Sequence, residues 1–216
     1  MYHRRLAALT VLAACAVLTA CSATQPVRVL TLGERRWIAS VGGPLLPNHV
    51  PTGLLPYTDV GMMWGARENL TLSANAHLLA AAFGVAGADV GAAKRLHAQR
   101  GNAPELTGQV QLYAFAGSGG ARVYPNVSGV ASWRAGERGL LYTGLNLTGR
   151  LNAGGKGLVA TPLVGVQRDV TKRLILQLEG KWMAANIDMS RGLFEGENSI
   201  GGRGGMALQL GVQVKR

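Results

Sequence analysis

Polar and apolar residues alternate along most of this chain, and the alternation is clearest in its last segment. Between Met206 and Val214 every second residue is apolar, and the residues between them are small or polar. Successive side chains of a β-strand point to opposite faces, so this segment would have one apolar and one polar face. Stripes with the 3.6-residue period of a helix are hard to find elsewhere. The pattern therefore predicts an all-β domain.

The same alternation upstream sets the expected number of strands. Regular segments lie at 70–78, 109–114, 122–134 and 174–182, and less regular ones at 57–66, 83–96, 139–150 and 158–168. With a weaker candidate within 27–41, the total is about ten. We predict one antiparallel up-and-down β-barrel of about 8–10 strands, a number typical of small membrane barrels. Residues 56–216 form its barrel domain, and 21–55 an N-terminal segment with a candidate first strand and a Pro-rich loop.

The connections between the predicted strands alternate in length. Membrane barrels have short periplasmic turns at one end and longer loops at the other. Short polar connections fall on one side, at Gly65–Asn69, Arg134–Arg138 and Arg168–Lys172. Long ones fall on the opposite side, at Pro44–Pro56, Leu151–Gly157 and Ala185–Gly204. His97–Glu105 and Gly117–Gly120 depart from this rule. An even strand count would place both ends of the barrel domain in the periplasm.

Three tryptophans occupy apolar positions near strand ends. Trp64 and Trp133 stand just before two of the short turns, and Trp182 stands near a long loop. Aromatic residues gather at membrane interfaces on the outer surface of a barrel. We predict these three as interface residues, although the core of a soluble sandwich could also hold them.

Composition favours a membrane protein that crosses with strands. Hydrophobic residues make up 48% of the chain and charged residues only 15%, against about 25% charged in ordinary soluble domains. Beyond the N-terminus no run approaches the ~20 apolar residues of a spanning helix. The formal charge of +11 favours anionic lipid or lipopolysaccharide as a partner. Export makes nucleic acid the least fitting partner.

The N-terminus has the plan of an export signal. Met1–Arg5 is basic, Leu6–Leu18 is apolar, and Leu18-Thr19-Ala20-Cys21 ends in a cysteine. This motif resembles the lipobox of bacterial lipoproteins. The resemblance implies a signal peptide over 1–20 and an N-terminal Cys21 carrying palmitate or a similar acyl chain. The alternatives are cleavage at Cys15 or an ordinary secretory signal. Cys15 and Cys21 are the only cysteines, so the mature chain would have no internal disulfide.

A strand-turn-strand unit carries a second resemblance. An apolar strand is followed by Gly-Ala-Arg-Glu-Asn-Leu-Thr-Leu and then by an alternating strand. This unit resembles those of small bacterial outer-membrane β-barrel proteins, and the likeness extends over most of 57–216. It implies an outer-membrane barrel. The chain departs from that family at Val214-Lys215-Arg216, where many such barrels end in an aromatic residue.

Several polar residues fall on the faces expected to point inward. Glu179 and Lys181 share one strand face, and Arg122 and Arg134 share another, so we predict internal charge pairs or a pore lining. His77 lies on one face with Ser73 and Asn75, and we interpret it as a hydrogen-bonded internal histidine. A catalytic triad is the weaker alternative, since no acidic partner is identifiable nearby and Gly-x-Ser-x-Gly is absent from the sequence. His49 and His97 have no metal-ligand spacing. We expect no catalytic residue, metal or cofactor.

Three functions remain open at this point. The main expectation is a lipid-anchored outer-membrane barrel with a structural or small-solute and ligand-binding role, not an enzyme. The second is a periplasmic lipocalin-like lipoprotein that binds an apolar ligand inside a soluble barrel. An outer-membrane lipid-modifying enzyme comes third. The first two differ in which face is apolar. A membrane barrel turns its apolar residues to lipid, whereas a lipocalin-like barrel turns them to its interior.

Overall fold

Ten antiparallel strands account for nearly all regular structure in the described part of this chain. The computed structural model describes residues 24, 26–45, 57–82, 84–149, 151, 157–188 and 199–216. The predicted signal segment, Cys21, His49 and most of the Pro-rich loop lie outside the described residues. The strands are β1 Arg35–Pro44, β2 Tyr57–Arg67, β3 Leu70–His77, β4 Ala86–His97, β5 Glu105–Gly117, β6 Gly120–Ala135, β7 Gly139–Thr148, β8 Val159–Asp169, β9 Leu174–Asp188 and β10 Arg203–Lys215. A five-residue helix, α1 Leu78–Ala82, follows β3.

The strands form a closed barrel in sequence order. Each strand pairs with its neighbours along the chain, and β1 also pairs with β10. Along this seam Arg36 lies opposite Lys215, and Ser40 opposite Gly211. The predicted all-β, up-and-down barrel is confirmed with ten strands. The first of them lies inside the segment 21–55, so the N-terminal region supplies part of the wall.

The two faces of the wall have opposite polarity, in the sense that the alternation predicts. On β10, Leu208 and Leu210 point outward and are 45% and 43% exposed, whereas Gln209 points inward and is 2% exposed. Trp133 and Leu176 also occupy outward positions. Polar side chains fill the lumen: threonines, serines, glutamines and asparagines of almost every strand are buried. A soluble lipocalin-like barrel would have the reverse arrangement.

The two ends of the barrel differ in their connections. At one end β1 begins, β10 ends, and the short turns 68–69, 136–138 and 170–173 join successive strands, together with the longer connection 98–104. We call this the short-turn end. The opposite end receives the connections around 46–56, 149–158 and 189–202, and also α1 and the two-residue turn 118–119. The predicted grouping of turns and the two predicted exceptions are both present.

Residues 24 and 26–34, which we call the lumen segment, precede β1: residues 24 and 26–30 lie inside the barrel, and 31–34 form an exposed turn at the short-turn end. The backbone N–H of Leu30 donates to Thr71 Oγ1 at 2.7 Å. The carbonyl of Pro26 accepts from Gln109 Nε2 at 2.7 Å. Val27 packs in an apolar cluster whose other members are Val130, Tyr142 and Leu163. The sequence analysis placed a weaker strand candidate within 27–41, but the strand begins only at Arg35, and 27–34 form this irregular segment instead.

Glycines give the lumen segment room against the wall. A β-carbon added at Gly65 would lie 1.9 Å from the carbonyl oxygen of Thr31, and one added at Gly211 would lie 2.5 Å from Thr24 Cγ2. Both distances are far below van der Waals contact. These two wall positions therefore require the absence of a side chain.

Within the described part of the chain, no helix is both long enough and apolar enough to cross a membrane.

Candidate functional site

The predicted pair Glu179 and Lys181 forms a buried ion pair in the lumen. Strand β9 points every second side chain inward, which places both on one face. Lys181 Nζ lies 3.0 Å from Glu179 Oε2, and the two side chains are 1% and 0% exposed. Lys181 Nζ also donates to Gln209 Oε1 at 2.6 Å. Burial without such partners would cost several kcal/mol per charge, so the pair depends on this network.

Neutral groups extend the network from Glu179 toward the short-turn end. Glu179 Oε1 accepts from Gln177 Nε2 at 2.7 Å and from the Tyr142 hydroxyl at 3.0 Å. Gln177 Oε1 accepts from Gln213 Nε2 at 2.8 Å. Gln213 Oε1 in turn accepts from Arg36 at 3.0 Å. Side chains of four strands are thus linked across the lumen.

His77 belongs to a second buried cluster toward the opposite end. Its Nε2 lies 3.1 Å from Asp89 Oδ2, with both side chains fully buried. Its Nδ1 lies 2.8 Å from the Tyr57 hydroxyl, and the ring stacks at a tilt on Phe115. Asp89 also accepts from Asn75 Nδ2 at 2.8 Å. The acidic partner that the sequence did not reveal is therefore on the next strand.

This cluster lacks the geometry of a serine nucleophile. Ser73 and His77 are four residues apart on one strand, which separates them by about 13 Å. Ser40 is the serine of the lumen nearer to His77, and its hydroxyl hydrogen-bonds with Asp59 and Gln209 instead of with the histidine. Nδ1 of His77 hydrogen-bonds with the Tyr57 hydroxyl, Nε2 lies beside the Asp89 carboxylate, and the side chain has no exposed surface. The arrangement is that of an internal structural histidine.

Arg122 and Arg134 lie at opposite rims of the barrel and not in its centre. Both are on the inward face of β6, but the strand has sixteen residues and extends beyond the buried part of the wall at each end. Both residues are exposed. Among the described residues neither has a carboxylate within ion-pair distance. The predicted internal charge pair therefore forms at Glu179 and Lys181 but not at these arginines.

The tryptophans lie on the outward face near the two rims. Trp64 and Trp133 are close to the short-turn end, and Trp182 is close to the opposite end. The indole N–H of Trp133 donates to the carbonyl of Asn102 at 3.1 Å, and that of Trp182 to the carbonyl of Arg203 at 2.9 Å. Trp37, which the sequence analysis did not assign, is also outward and 53% exposed. The sequence signal that could have identified Trp37 is its position in the alternating pattern of β1.

A cavity of about 410 Å³ opens at the short-turn end, between the lumen segment and the ends of β6–β8 and β10. We call it the mouth cavity. Its charged lining consists of five basic residues, Arg28, Arg36, Arg134, Arg138 and Lys215, and three acidic residues, Glu34, Glu137 and Asp169. A volume of this size is in the range of small-molecule sites. The lining makes it a candidate site for a polar ligand.

Two charged residues of the lumen segment are held firmly in this cavity. Arg28 donates to Ser132 Oγ at 3.0 Å and to Gln99 Oε1 at 2.6 Å. Burial lowers the pKa of Arg28, nearby Glu105 opposes that shift, and the positive charge of Arg134 adds to it. Glu34 accepts from Arg36 Nε at 2.7 Å and from the Thr31 hydroxyl at 2.8 Å. Burial would raise the pKa of Glu34, but Arg36 and these hydrogen bonds outweigh it, so the pKa is lowered.

No group of three or more His, Cys, Asp or Glu side chains that could hold a metal ion occurs within the described ranges.

A closed wall of strands with an apolar outer face and a buried polar interior is the architecture of a β-barrel that spans a bilayer. Closure leaves no open sheet edge among the ten strands, and the outward apolar side chains contact lipid. The fold and its surface therefore define the class of this chain as a transmembrane β-barrel.

Solved structures with similar folds are membrane barrels. One is a de novo designed transmembrane β-barrel, with 11% identity and a TM-score of 0.36, covering 87% of this chain and 99% of the other. A second is an outer membrane channel from Pseudomonas putida F1, with 11% identity and a TM-score of 0.48, covering 90% and 100%. A third is the translocator domain of autotransporter NalP from Neisseria meningitidis, with 10% identity and a TM-score of 0.47, covering 98% and 97%. No protein-family model and no curated protein matches the chain. Similarity at this level says nothing about what this barrel binds.

Proposed function

We propose that this chain is a non-enzymatic β-barrel of the bacterial outer membrane, anchored in addition through an acylated Cys21. Its lumen is closed, and it binds a small solute at the mouth cavity. The observation that carries the proposal is the polarity of the wall, with a lipid-facing apolar exterior and a buried polar interior.

The outer membrane is the location that fits both the barrel and the N-terminal signal. Closed strand barrels with alternating short and long connections are typical of that membrane. The basic, apolar and cysteine-ending N-terminus resembles that of an exported lipoprotein. The lipid around the barrel would then include lipopolysaccharide, which suits the basic composition of the chain.

The state of the lumen supports binding or a structural role and not wide conduction. An open pore would leave its lining side chains exposed to water, whereas Gln177, Glu179 and Gln209 are almost completely buried. The lumen segment occupies further space, between Thr71 and Gln109. A filled lumen is expected for a barrel of about this strand number. The mouth cavity remains as the accessible site.

Gel mobility and membrane extraction test the barrel. The purified protein in detergent should migrate faster before boiling than after it, and carbonate should leave it in the membrane. A Cys21→Ser variant should behave in the same way, because the strands themselves span the bilayer. Release of this variant into the aqueous phase, with equal mobility before and after boiling, would favour the lipocalin-like lipoprotein instead.

Two further measurements test the remaining parts of the proposal. Labelled palmitate should be incorporated into the wild type and lost in Cys21→Ser; labelling of neither would disprove the anchor without affecting the barrel. In planar bilayers the wild type should give no stepwise pore conductance. Large regular steps would contradict the closed lumen.

A further inference from the structure

The mouth cavity holds two guanidinium groups that lack the carboxylate partners of its other cations. Arg36 pairs with Glu34 at 2.7 Å and Lys215 with Asp169 at 3.1 Å. Arg28 Nε lies 3.9 Å from Glu105. Arg134 and Arg138, in contrast, have no carboxylate within 4.0 Å among the described residues.

The remaining acidic residue of the lining does not compensate these two groups. Glu137 stands between them in sequence, is exposed, and forms no ion pair with a described residue, so it reduces the positive charge of the turn without pairing with either guanidinium. With five cationic and three anionic side chains, the lining has a net charge of +2. Since Arg36 with Glu34 and Lys215 with Asp169 cancel, this excess is divided between Arg28 and the β6–β7 turn with its flanking Arg134.

The lumen segment and the β6 rim are fixed to each other at this point. Gln99 Oε1 accepts both from Arg28 Nη2, at 2.6 Å, and from the backbone N–H of Arg134, at 3.1 Å. Arg28 is further held by Ser132 at 3.0 Å. Arg28 and Arg134 are thus kept close although their charges repel. A bound anion would offset this repulsion without any rearrangement of the wall.

We propose that the mouth cavity binds a small phosphate-bearing anion, with Arg134 and Arg138 as its principal ligands and Arg28 at its inner wall. Guanidinium groups match the geometry of phosphate oxygens by donating two parallel hydrogen bonds. A phosphate monoester carries about −1.5 to −2 charges at neutral pH, which equals the excess of the lining. The inference rests on the proposed function and names the class of its solute. The phosphate could belong to a free solute or to a lipid headgroup.

Calorimetric titration of the full-length protein in neutral detergent tests the proposal. The probes are inorganic pyrophosphate, for a free solute, and short-chain phosphatidic acid, for a headgroup. The double variant Arg134→Ala/Arg138→Ala should bind at least one of them about tenfold more weakly than the wild type. The matched control is Arg168→Ala/Lys172→Ala, which removes two charges at the same end of the barrel but outside the lining. It should stay within about twofold of the wild type.

The outcomes separate the source of the phosphate from the existence of the site. Binding of pyrophosphate that depends on Arg134 and Arg138 supports a free solute, and the same dependence for phosphatidic acid alone supports a headgroup. Binding of neither probe, or equal losses in both double variants, would overturn the site. Gel mobility of the same samples before and after boiling shows separately whether the barrel is intact. If boiling changes the gel mobility but neither probe binds, the phosphate site is disproved and the membrane barrel is supported.

Discussion

Glu179 and Lys181 are oppositely charged side chains that are almost completely buried in the lumen. Each is at most 1% exposed, and each has hydrogen-bond partners besides the other. A buried pair adds little net stability, because desolvation costs about as much as the attraction returns. Removing one partner is different, since it leaves the other as an uncompensated buried charge.

We predict that Lys181→Met destabilises the barrel by about 3–5 kcal/mol, because Glu179 then loses the cation 3.0 Å away. The double variant Glu179→Gln/Lys181→Met should recover much of this loss. Urea unfolding in detergent or liposomes measures both. Lys172→Met, in the exposed β8–β9 turn, is the control and should change stability by less than about 0.5 kcal/mol. A Lys181→Met barrel as stable as this control would contradict the prediction.

Glu34 gives the barrel a testable dependence on pH. Its pKa is lowered in the folded chain, so its contribution is complete above the unfolded pKa of about 4.3. The contribution is lost as the pH falls through the lower folded value. We expect wild type to exceed Glu34→Gln in urea midpoint at pH 6, and the difference between the two midpoints to be smaller at pH 3. A difference that is equally large at both pH values would rule out the ionised carboxylate as the cause.

At the scale of elements, the lumen segment is the least regular part and depends on the wall for its position. Apart from its contacts at Thr31 and Glu34, it is held by distant residues such as Thr71, Gln109 and Ser132. Its path also requires two wall positions without side chains, Gly65 and Gly211.

We predict that Gly65→Ala loosens the lumen segment, because the new β-carbon would collide with the backbone carbonyl of Thr31. Limited trypsin digestion, with mass spectrometry of the N-terminal fragment, measures the exposure of Arg28. The rate of cleavage at Arg28 follows the fraction of molecules in which the lumen segment is detached from the wall. We expect this rate to increase about tenfold, which corresponds to ~1.4 kcal/mol. Gly129→Ala, at an outward position with nothing within 4 Å of the new atom, should leave the rate unchanged. Equal rates in the two variants would show that the segment tolerates the collision.

The strands could be predicted from the sequence because lipid and an enclosed polar lumen impose a two-residue period. That period was enough to place Glu179, Lys181 and His77 inside and Trp64 and Trp133 outside. The period does not show where along a strand the buried part of the wall ends. Arg122 and Arg134 were therefore expected inside the lumen, but they lie at its rims. Asp89 as a partner of His77 depends on the β3–β4 register, and the lumen segment depends on contacts 41 to 104 residues apart.

At the scale of the whole molecule, the sidedness of the wall separates a membrane barrel from a soluble one. Leu210 lies near the middle of β10 and faces outward between Val41 and Leu178. All three side chains are more than 40% exposed. In a bilayer these positions contact acyl chains, whereas in a soluble barrel they would contact water.

We predict that Leu210→Arg destabilises the barrel in liposomes by about 2–4 kcal/mol, the cost of a guanidinium near the bilayer midplane. Unfolding in urea measures the difference. Leu32→Arg is the control, since Leu32 is 66% exposed in the turn before β1 and belongs to no strand of the wall. It should have an effect below about 0.5 kcal/mol. If Leu210→Arg is as stable as this control, the outer face of the barrel contacts water and not lipid.

The seam between β1 and β10 also determines when the barrel can be completed. The strands β1 and β10 are hydrogen-bonded to each other, so two unpaired sheet edges persist until synthesis has delivered the thirteen residues of β10. Hydrocarbon does not tolerate such edges. Insertion of the barrel must therefore follow synthesis of β10, and a deletion of β10 would leave the edges of β1 and β9 without their partner.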